Sequence, residues 1–168
     1  HTAQGDYTLA CSAVLLAIGH SARDTFTALH DAGIPMEPKP FSMGVRIEHP
    51  QRLINESQYG PFADAPGLGA ADYKLNVKLP DGTSAYTFCM CPGGSVVAAA
   101  SEPGGVVTNG MSCHARGGKN ANAALLVTLA PSDFPDSSVL GGMHWQQQLE
   151  QAAFLAGGSN YRAPAQLV

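Results

Sequence analysis

The chain has 168 residues, which is enough for one domain with a sizeable core. Its formal net charge is −4 and only 13% of its residues are charged, about half the usual share. Because the basic residues form no cluster and no apolar run reaches the roughly eighteen residues of a transmembrane helix, we expect neither a nucleic-acid partner nor a membrane partner.

The first elements form a strand, a turn and a helix. We expect strands at Tyr7–Ala10 and Val14–Ile18, because the second run is apolar throughout and too short for a helix. A helix is predicted from Ala22 to Asp31, with Ser21 as its cap and Gly33 as its C-terminal stop. The pattern is typical of a βα unit.

The junction between this strand and helix is a candidate ligand site. Gly19 lets the backbone turn closely, and the N–H groups of the helix start can face an anion or a flavin edge. His20 either contacts a ligand or caps the turn. Arg23 opposes the helix dipole, so we expect it to be solvent-exposed unless a carboxylate or phosphate lies nearby.

A domain boundary is predicted in the next segment. Ile34–Pro40 holds three prolines, which exclude a helix and favour a stiff, extended crossing. We therefore divide the chain into residues 1–33 and residues 34–168.

The second part reads as an α+β domain. The patterns first predict a strand at Phe41–Glu48, a helix from Pro50 to Tyr59, and a hairpin of Tyr73–Leu79 and Ala85–Cys89 around the turn Pro80–Thr83. Two strands are then expected after the Pro92 and Pro103 turns, followed by a polar loop at Asn109–Asn122. The last predicted elements are a strand at Ala123–Leu129 and a helix at Gly142–Ala156. The fold class is therefore an antiparallel β-sheet with two or three helices, preceded by a βα remnant.

Two cysteines at the end of a predicted strand are candidates for chemistry. Strand alternation would place Cys89 and Cys91 on one face, but their Cα atoms would lie about 6.5 to 7 Å apart, at the limit for a disulfide. We expect them to be unbridged. Inert cysteines, redox partners and contact with a substrate or flavin through the glycine turn are the open alternatives.

Arginines are the candidate anchors for an anionic substrate, because a guanidinium binds a carboxylate in a fixed bidentate geometry. The substrate-binding candidates are Arg46, Cys91, Pro92, Gly93, Gly94, Asn109 and Arg116. Cys113 beside His114 is a weak nucleophile pattern, since neighbours on a strand point apart.

No metal is expected, because the six histidines show no H-x-x-x-H spacing. The four cysteines form no disulfide framework and no C-x-x-C pair, so we expect reduced thiols and a cytoplasmic location.

Several long segments occur in the order typical of one protein family: LLAIGHSARDTF, KPFSMGVRIEHPQRLIN, GAADYKL, FCMCPGGSVVAAASEPGGVVTNGMS, EQAAF and NYRAPAQLV. Together they resemble the middle of bacterial FAD-dependent dehydrogenases, a group of uncharacterised flavoproteins with two dinucleotide folds. The resemblance covers nearly the whole chain. It implies an FAD cofactor, with Gly19, His20 and Ser21 as cofactor-binding residues.

Such flavoproteins open with a G-x-G-x-x-G turn that holds the FAD pyrophosphate. No such segment precedes His1, so we expect a middle fragment of an oxidoreductase: the end of the FAD-binding domain followed by the substrate domain. Its partners would be a small-molecule substrate and the rest of the FAD-binding domain, and the fragment alone would be inactive and without FAD. The alternative is a non-catalytic binding or assembly module that docks a partner protein.

Overall fold

The computed structural model describes residues 3–168. The chain forms two compact units, and the boundary in the sequence falls between Pro35 and Met36. In chain order the elements are α1 (Arg23–Asp31), β1 (Phe41–Pro50), α2 (Gln51–Tyr59), β2 (Asn76–Lys78), β3 (Ser84–Cys91), β4 (Gly94–Ala99), β5 (Val107–Ser112), β6 (Asn120–Leu129) and α3 (Gly141–Ala156). Antiparallel sheets with three helices over the described residues confirm the predicted α+β class.

The first unit lacks the two strands expected before α1. Tyr7–Ala10 and Val14–Ile18 form no strand, and Leu15 is 92% exposed. The strand prediction is wrong for a physical reason: an apolar run becomes a strand only when a neighbouring strand pairs with its backbone, and no strand exists among residues 3–40 to do so.

Helix α1 begins one residue later than expected and ends as expected. Its N-cap is Ala22 instead of Ser21, and Asp24 in the first turn accepts a hydrogen bond from the backbone N of Thr25 at 2.7 Å. At the other end, Gly33 has φ +76°, and its N–H bonds the carbonyl of His30 at 2.9 Å. This left-handed glycine confirms the predicted helix stop.

Arg23 differs from the expectation for an exposed side chain. It is buried, with 4% of its surface exposed. The positive charge of Arg23 lies at the positive end of the α1 dipole, and its side chain is shielded from solvent.

The second unit contains a four-stranded antiparallel sheet in the order β1-β6-β3-β2. The hairpin predicted around Pro80–Thr83 is confirmed, since β2 pairs with β3 and the Asp81 carboxylate accepts a hydrogen bond from the N of Thr83 at 2.8 Å. Its first arm is shorter than predicted. Leu75 bonds instead to the Thr87 hydroxyl, which accepts from its N–H at 2.8 Å.

A separate two-stranded sheet pairs β4 with β5, as the two proline-glycine turns predicted. The loop predicted at Asn109–Asn122 is largely wrong, because Asn109 lies on β5 opposite Val97 and β6 already begins at Asn120. Polar side chains are compatible with a strand that is partly exposed to solvent. The loop between β5 and β6 therefore comprises only residues 113–119.

The core of the second unit is made largely of small side chains. Its buried apolar residues are Ala71, Val106, Ala121, Ala123 and Phe134. Helix α3 lies close to the Phe41 ring at Gly142, since a Cβ added at this glycine would lie 2.8 Å from that ring. None of the helices in the described part of the chain has the length and apolar character needed to span a bilayer.

Strand β1 presents different chemistry on its two faces. Because successive side chains alternate, Arg46 and Glu48 lie on one face and Ile47 and His49 on the other. The sheet therefore carries a polar face and a more apolar face.

Gly44 tests how tightly β1 and β6 are joined. A Cβ at this position would overlap the backbone carbonyl of Leu125 on the adjacent strand, and backbone cannot rotate away. We expect Gly44→Ala to lower the free energy of unfolding by about 1–3 kcal/mol, measured by urea denaturation. Gly69→Ala, in open space, is the matched control and should change stability by less than about 0.5 kcal/mol. Equal effects of the two substitutions would contradict the register.

Candidate functional site

A β-bulge shapes the end of β3. Phe88 pairs with Ala124 and Cys91 with Asn122, so three steps along β3 match two along β6. Cys89 occupies the bulge with φ +47°, a left-handed conformation that is costly for a residue with a side chain. Such bulges turn a strand and redirect its groups at sheet rims and next to sites.

The bulge makes the two thiols inequivalent. Cys89 is exposed and Cys91 is half-buried, and the Cys91 thiol donates a hydrogen bond to the Cys89 carbonyl at 3.3 Å. Simple strand alternation, on which we expected both thiols on one face, does not hold across the bulge. Both cysteines are free thiols in the structure.

Arg46 lies half-buried on the polar face of the sheet, beside this bulge. Its Nη1 donates hydrogen bonds to the side-chain Oδ1 of Asn122 and to the carbonyl of Cys89 at 3.3 Å, and lies 3.9 Å from the Cys91 sulfur. None of the ion pairs between described residues includes Arg46. We call Arg46, Asn122, Cys89 and Cys91 the Arg46 cluster.

Asn122 is fully buried, with 0% of its surface exposed. Its Oδ1 accepts from Arg46, but its Nδ2 has no hydrogen-bond partner among the described residues. An unpaired buried donor costs about 1–3 kcal/mol. The cluster therefore combines a half-buried cation, which favours an oxygen acceptor, with a fully buried amide that holds it.

Gly110 on β5 leaves the room that this arrangement needs. A Cβ there would overlap the Arg46 guanidinium and the Asn122 amide. The second sheet thus approaches the polar face only because this position carries no side chain.

Glu48 connects the same face to the second sheet. Its carboxylate accepts hydrogen bonds from the backbone N of Val96 at 2.7 Å and from Nδ2 of Asn120 at 2.5 Å. Glu48 lies two residues after Arg46 on β1, and these two hydrogen bonds occupy its carboxylate.

The glycine turn that follows Cys91 is buried, and we call residues 92–94 the frame. Pro92, Gly93 and Gly94 are buried. The N–H of Gly93 donates to Oε1 of Gln51 at 2.8 Å, and Gly93 has φ +57°. A Cβ at Gly93 would collide with the carbonyl of Arg116.

Gln51, the first residue of α2, holds this frame together. It is 5% exposed, and besides bonding Gly93 its Nε2 donates to the Ala71 carbonyl and to Oδ1 of Asn55, both at 2.8 Å. Asn55 in turn accepts from the N of Ala71 at 3.0 Å. Two amide side chains thus link α2 to the turn and to the segment before β2.

Of the substrate-binding candidates, Arg46 and Cys91 come together in the Arg46 cluster. Pro92, Gly93 and Gly94 follow Cys91 in the buried turn. Asn109 is exposed on β5, next to Gly110, and Arg116 is exposed in the loop with φ +50°. The sequence reasoning missed Asn122 and Gln51. A polar residue at the start of the apolar run Ala123–Leu129 was the available signal for Asn122.

The cofactor candidates lie in the first unit. Gly19 has φ +76° with open space where a Cβ would stand, and His20 and Ser21 are exposed and bonded to each other at 3.3 Å. This surface is open and exposed. It does not enclose a pyrophosphate, which needs several backbone N–H groups from a glycine-rich turn. Among residues 3–168 no cluster of His, Cys, Asp and Glu could hold a metal ion.

Comparison with known proteins assigns the family. Residues 40–168 match the family described as "FAD-dependent protein, C-terminal domain-like", and the chain belongs to it. An uncharacterized protein of Clostridium beijerinckii is 56% identical over 163 residues, which cover 95% of this chain and 30% of that protein. The chain therefore spans about a third of the length of this relative. The family relation supports a flavoprotein-related domain.

Gln51 offers a test of the frame. We expect Gln51→Leu to lower the free energy of unfolding by about 2–4 kcal/mol, because the buried N–H of Gly93 and carbonyl of Ala71 lose their partner. Urea denaturation measures the change. Gln58→Leu, at an exposed position of the same helix, should stay within about 0.5 kcal/mol of the unsubstituted protein. A loss for Gln51→Leu no larger than that of Gln58→Leu would show that the turn does not depend on this amide.

Proposed function

We propose that this chain is part of an FAD-dependent oxidoreductase, in which it contributes the substrate domain and part of the flavin pocket. The observation that carries the proposal is the Arg46 cluster, where a half-buried guanidinium without an ion-pair partner among the described residues lies beside the unpaired Nδ2 of Asn122. Membership in a family of FAD-dependent proteins supports the cofactor.

The chemistry of the cluster suits an anionic small-molecule substrate. A carboxylate can accept from the half-buried Arg46 guanidinium through one or both of its oxygens, while the buried Asn122 amide holds the guanidinium in place. Partial burial strengthens this attraction compared with a surface arginine, because the local dielectric constant is lower. FAD, when bound, would serve as the acceptor of electrons from the substrate. The residues of this chain bind and orient the substrate and exclude water from its charged end.

The exposed run Val14–Ile18 fits the same proposal. Val14 is 79% and Leu15 92% exposed, which is an unusual state for consecutive apolar residues. We propose that the rest of the FAD-binding domain covers this run and pairs with it as a strand. The alternative, a non-catalytic module whose exposed run docks a partner protein, predicts no flavin in the full-length protein.

Gly19 tests the flavin contact. Gly19→Asn keeps a residue that tolerates the left-handed conformation but adds a side chain where the backbone is proposed to approach FAD. We expect FAD occupancy of the full-length protein to fall at least several-fold, measured by absorbance of the purified protein. Gly33→Asn is the matched control, since Gly33 has the same φ of +76° and equally open surroundings. Equal FAD occupancy in both variants would mean that the Gly19 turn connects two segments of the chain without contacting the flavin.

Arg46 tests the anion site. In the full-length flavoprotein, benzoate binding is titrated by calorimetry. Loss of a hydrogen bond to a charged group costs about 1.5–3 kcal/mol, so we expect Arg46→Gln to weaken benzoate binding by roughly 10- to 100-fold. Arg52→Gln, which removes an exposed arginine paired with Glu56 on α2, should leave it unchanged. Unaltered benzoate affinity in Arg46→Gln, or no saturable binding to the unsubstituted protein, would contradict the proposed site.

A further inference from the structure

A cavity lies on the opposite face of the sheet from the Arg46 cluster. It has a volume of about 490 Å³ and is formed by the sheet, by α2 and by the segment before β2. Its apolar wall includes Ile47, Ile54, Leu75, Val77 and Leu125. A cavity of this size and apolar lining is typical of a small-molecule site.

One polar pair stands on the wall of this cavity, which we call the His49 pocket. Nε2 of His49 and the hydroxyl of Tyr73 are 2.8 Å apart, and their ring centroids are 5.5 Å apart. The other ring nitrogen of His49, Nδ1, lies 3.4 Å from the carbonyl of Pro50. A carbonyl only accepts, so we assign the proton of a neutral His49 ring to Nδ1, the tautomer that this contact favours.

This tautomer sets the direction of the second bond. With the proton on Nδ1, Nε2 is an acceptor, and the Tyr73 hydroxyl donates to it. The Tyr73 oxygen therefore presents its lone pairs and not its proton to a ligand. Burial raises the pKa of Tyr73, so the phenol stays neutral at physiological pH.

The hydroxyl of Tyr86, also in the lining, donates to Oγ of Ser42 at 2.5 Å, and the polar residues Ser57, Gln58 and Asn76 lie at exposed positions. The buried polar residue of the wall is Thr87. Thr87 is 6% exposed, and its hydroxyl accepts from the N of Leu75 at 2.8 Å and donates to the carbonyl of Leu75 at 3.4 Å. Among the described residues that line the pocket there is no Lys, Arg, Asp or Glu. The lining therefore offers no counter-charge for an ionised ligand.

We propose that the His49 pocket binds a neutral, mostly apolar molecule that carries a hydroxyl group, which donates a hydrogen bond to the Tyr73 oxygen. The ligand hydroxyl, Tyr73 and His49 form a chain in which each O–H donates to the next acceptor, and such chains strengthen one another. An ether or an ionised acid lacks the donor and binds less well. The proposal does not depend on the flavin or on the Arg46 cluster.

The matched probes are 2-naphthol, 2-methoxynaphthalene and 2-naphthoate, titrated into the full-length protein with labelled methyl groups of Ile and Leu. We expect saturable binding of 2-naphthol that shifts the methyl signals of Ile47, Ile54 and Leu125. The donor should give 2-naphthol about fivefold higher affinity than 2-methoxynaphthalene, the effect of one hydrogen bond. Naphthoate should be the weakest of the three at these signals.

Variants separate the hydrogen bond from the cavity. Tyr73→Phe should reduce the affinity for 2-naphthol to that for 2-methoxynaphthalene and leave the latter unchanged. Ser57→Trp, at an exposed lining position of α2, should weaken both probes by filling the pocket. Leu53→Trp adds the same bulk to an exposed position of α2 that does not line the pocket and should weaken neither.

Three results would overturn the proposal: no saturable binding of 2-naphthol at these methyl groups, a preference for 2-naphthol that survives Tyr73→Phe, or affinities unaffected by Ser57→Trp. Naphthoate binding at the pocket as tightly as 2-naphthol would overturn the neutral class of ligand. Because the methyl signals belong to the pocket alone, a failure here leaves the benzoate result at Arg46 intact, and the reverse also holds.

Discussion

The hydrogen bond between Arg46 and Asn122 is the interaction on which the polar face of the second unit depends. It joins β1 to β6 at a point where Asn122 is fully buried, and it exists only because Gly110 leaves space for both side chains. Burying a cation is costly unless it is hydrogen-bonded, and here the amide oxygen and the Cys89 carbonyl meet that need. The bulge in β3 brings this carbonyl within reach.

Amide side chains form several of the links within this domain. Gln51 ties α2 to the buried glycine turn, Asn55 ties it to Ala71, and Asn122 holds the guanidinium. Neutral amides avoid most of the desolvation cost that buried ion pairs carry, which suits a chain with 13% charged residues. Such a network is most stabilising when its members are satisfied, and the unpaired Nδ2 of Asn122 is the cost of holding the Arg46 guanidinium with a buried amide.

The sequence predicted the parts of the fold that depend on local chemistry. The turn at Pro80–Thr83 and the stop at Gly33 follow from residues that fix the backbone wherever they occur. Val14–Ile18 failed as a strand, because pairing is a non-local property. The bulge at Cys89 was also hidden, since an extra residue in a strand shows only against its partner.

The candidate site was predictable in part for the same reason. Arg46 stood out as a cation on an alternating strand, and Cys91 as a thiol at a strand end. Asn122 did not, because it was placed in a polar loop whose two ends turn out to be strands β5 and β6. Its importance comes from complete burial beside Arg46, a feature that arises only when the two sheets meet.

The most direct test of the account is benzoate affinity of the full-length protein carrying Asn122→Asp, measured by calorimetry. This substitution is nearly isosteric, and it places a carboxylate against Arg46 while removing the unpaired donor. The account predicts that benzoate affinity falls at least tenfold, because the new carboxylate neutralises the guanidinium. Benzoate affinity equal to that of the unsubstituted protein, in a folded variant, would contradict it.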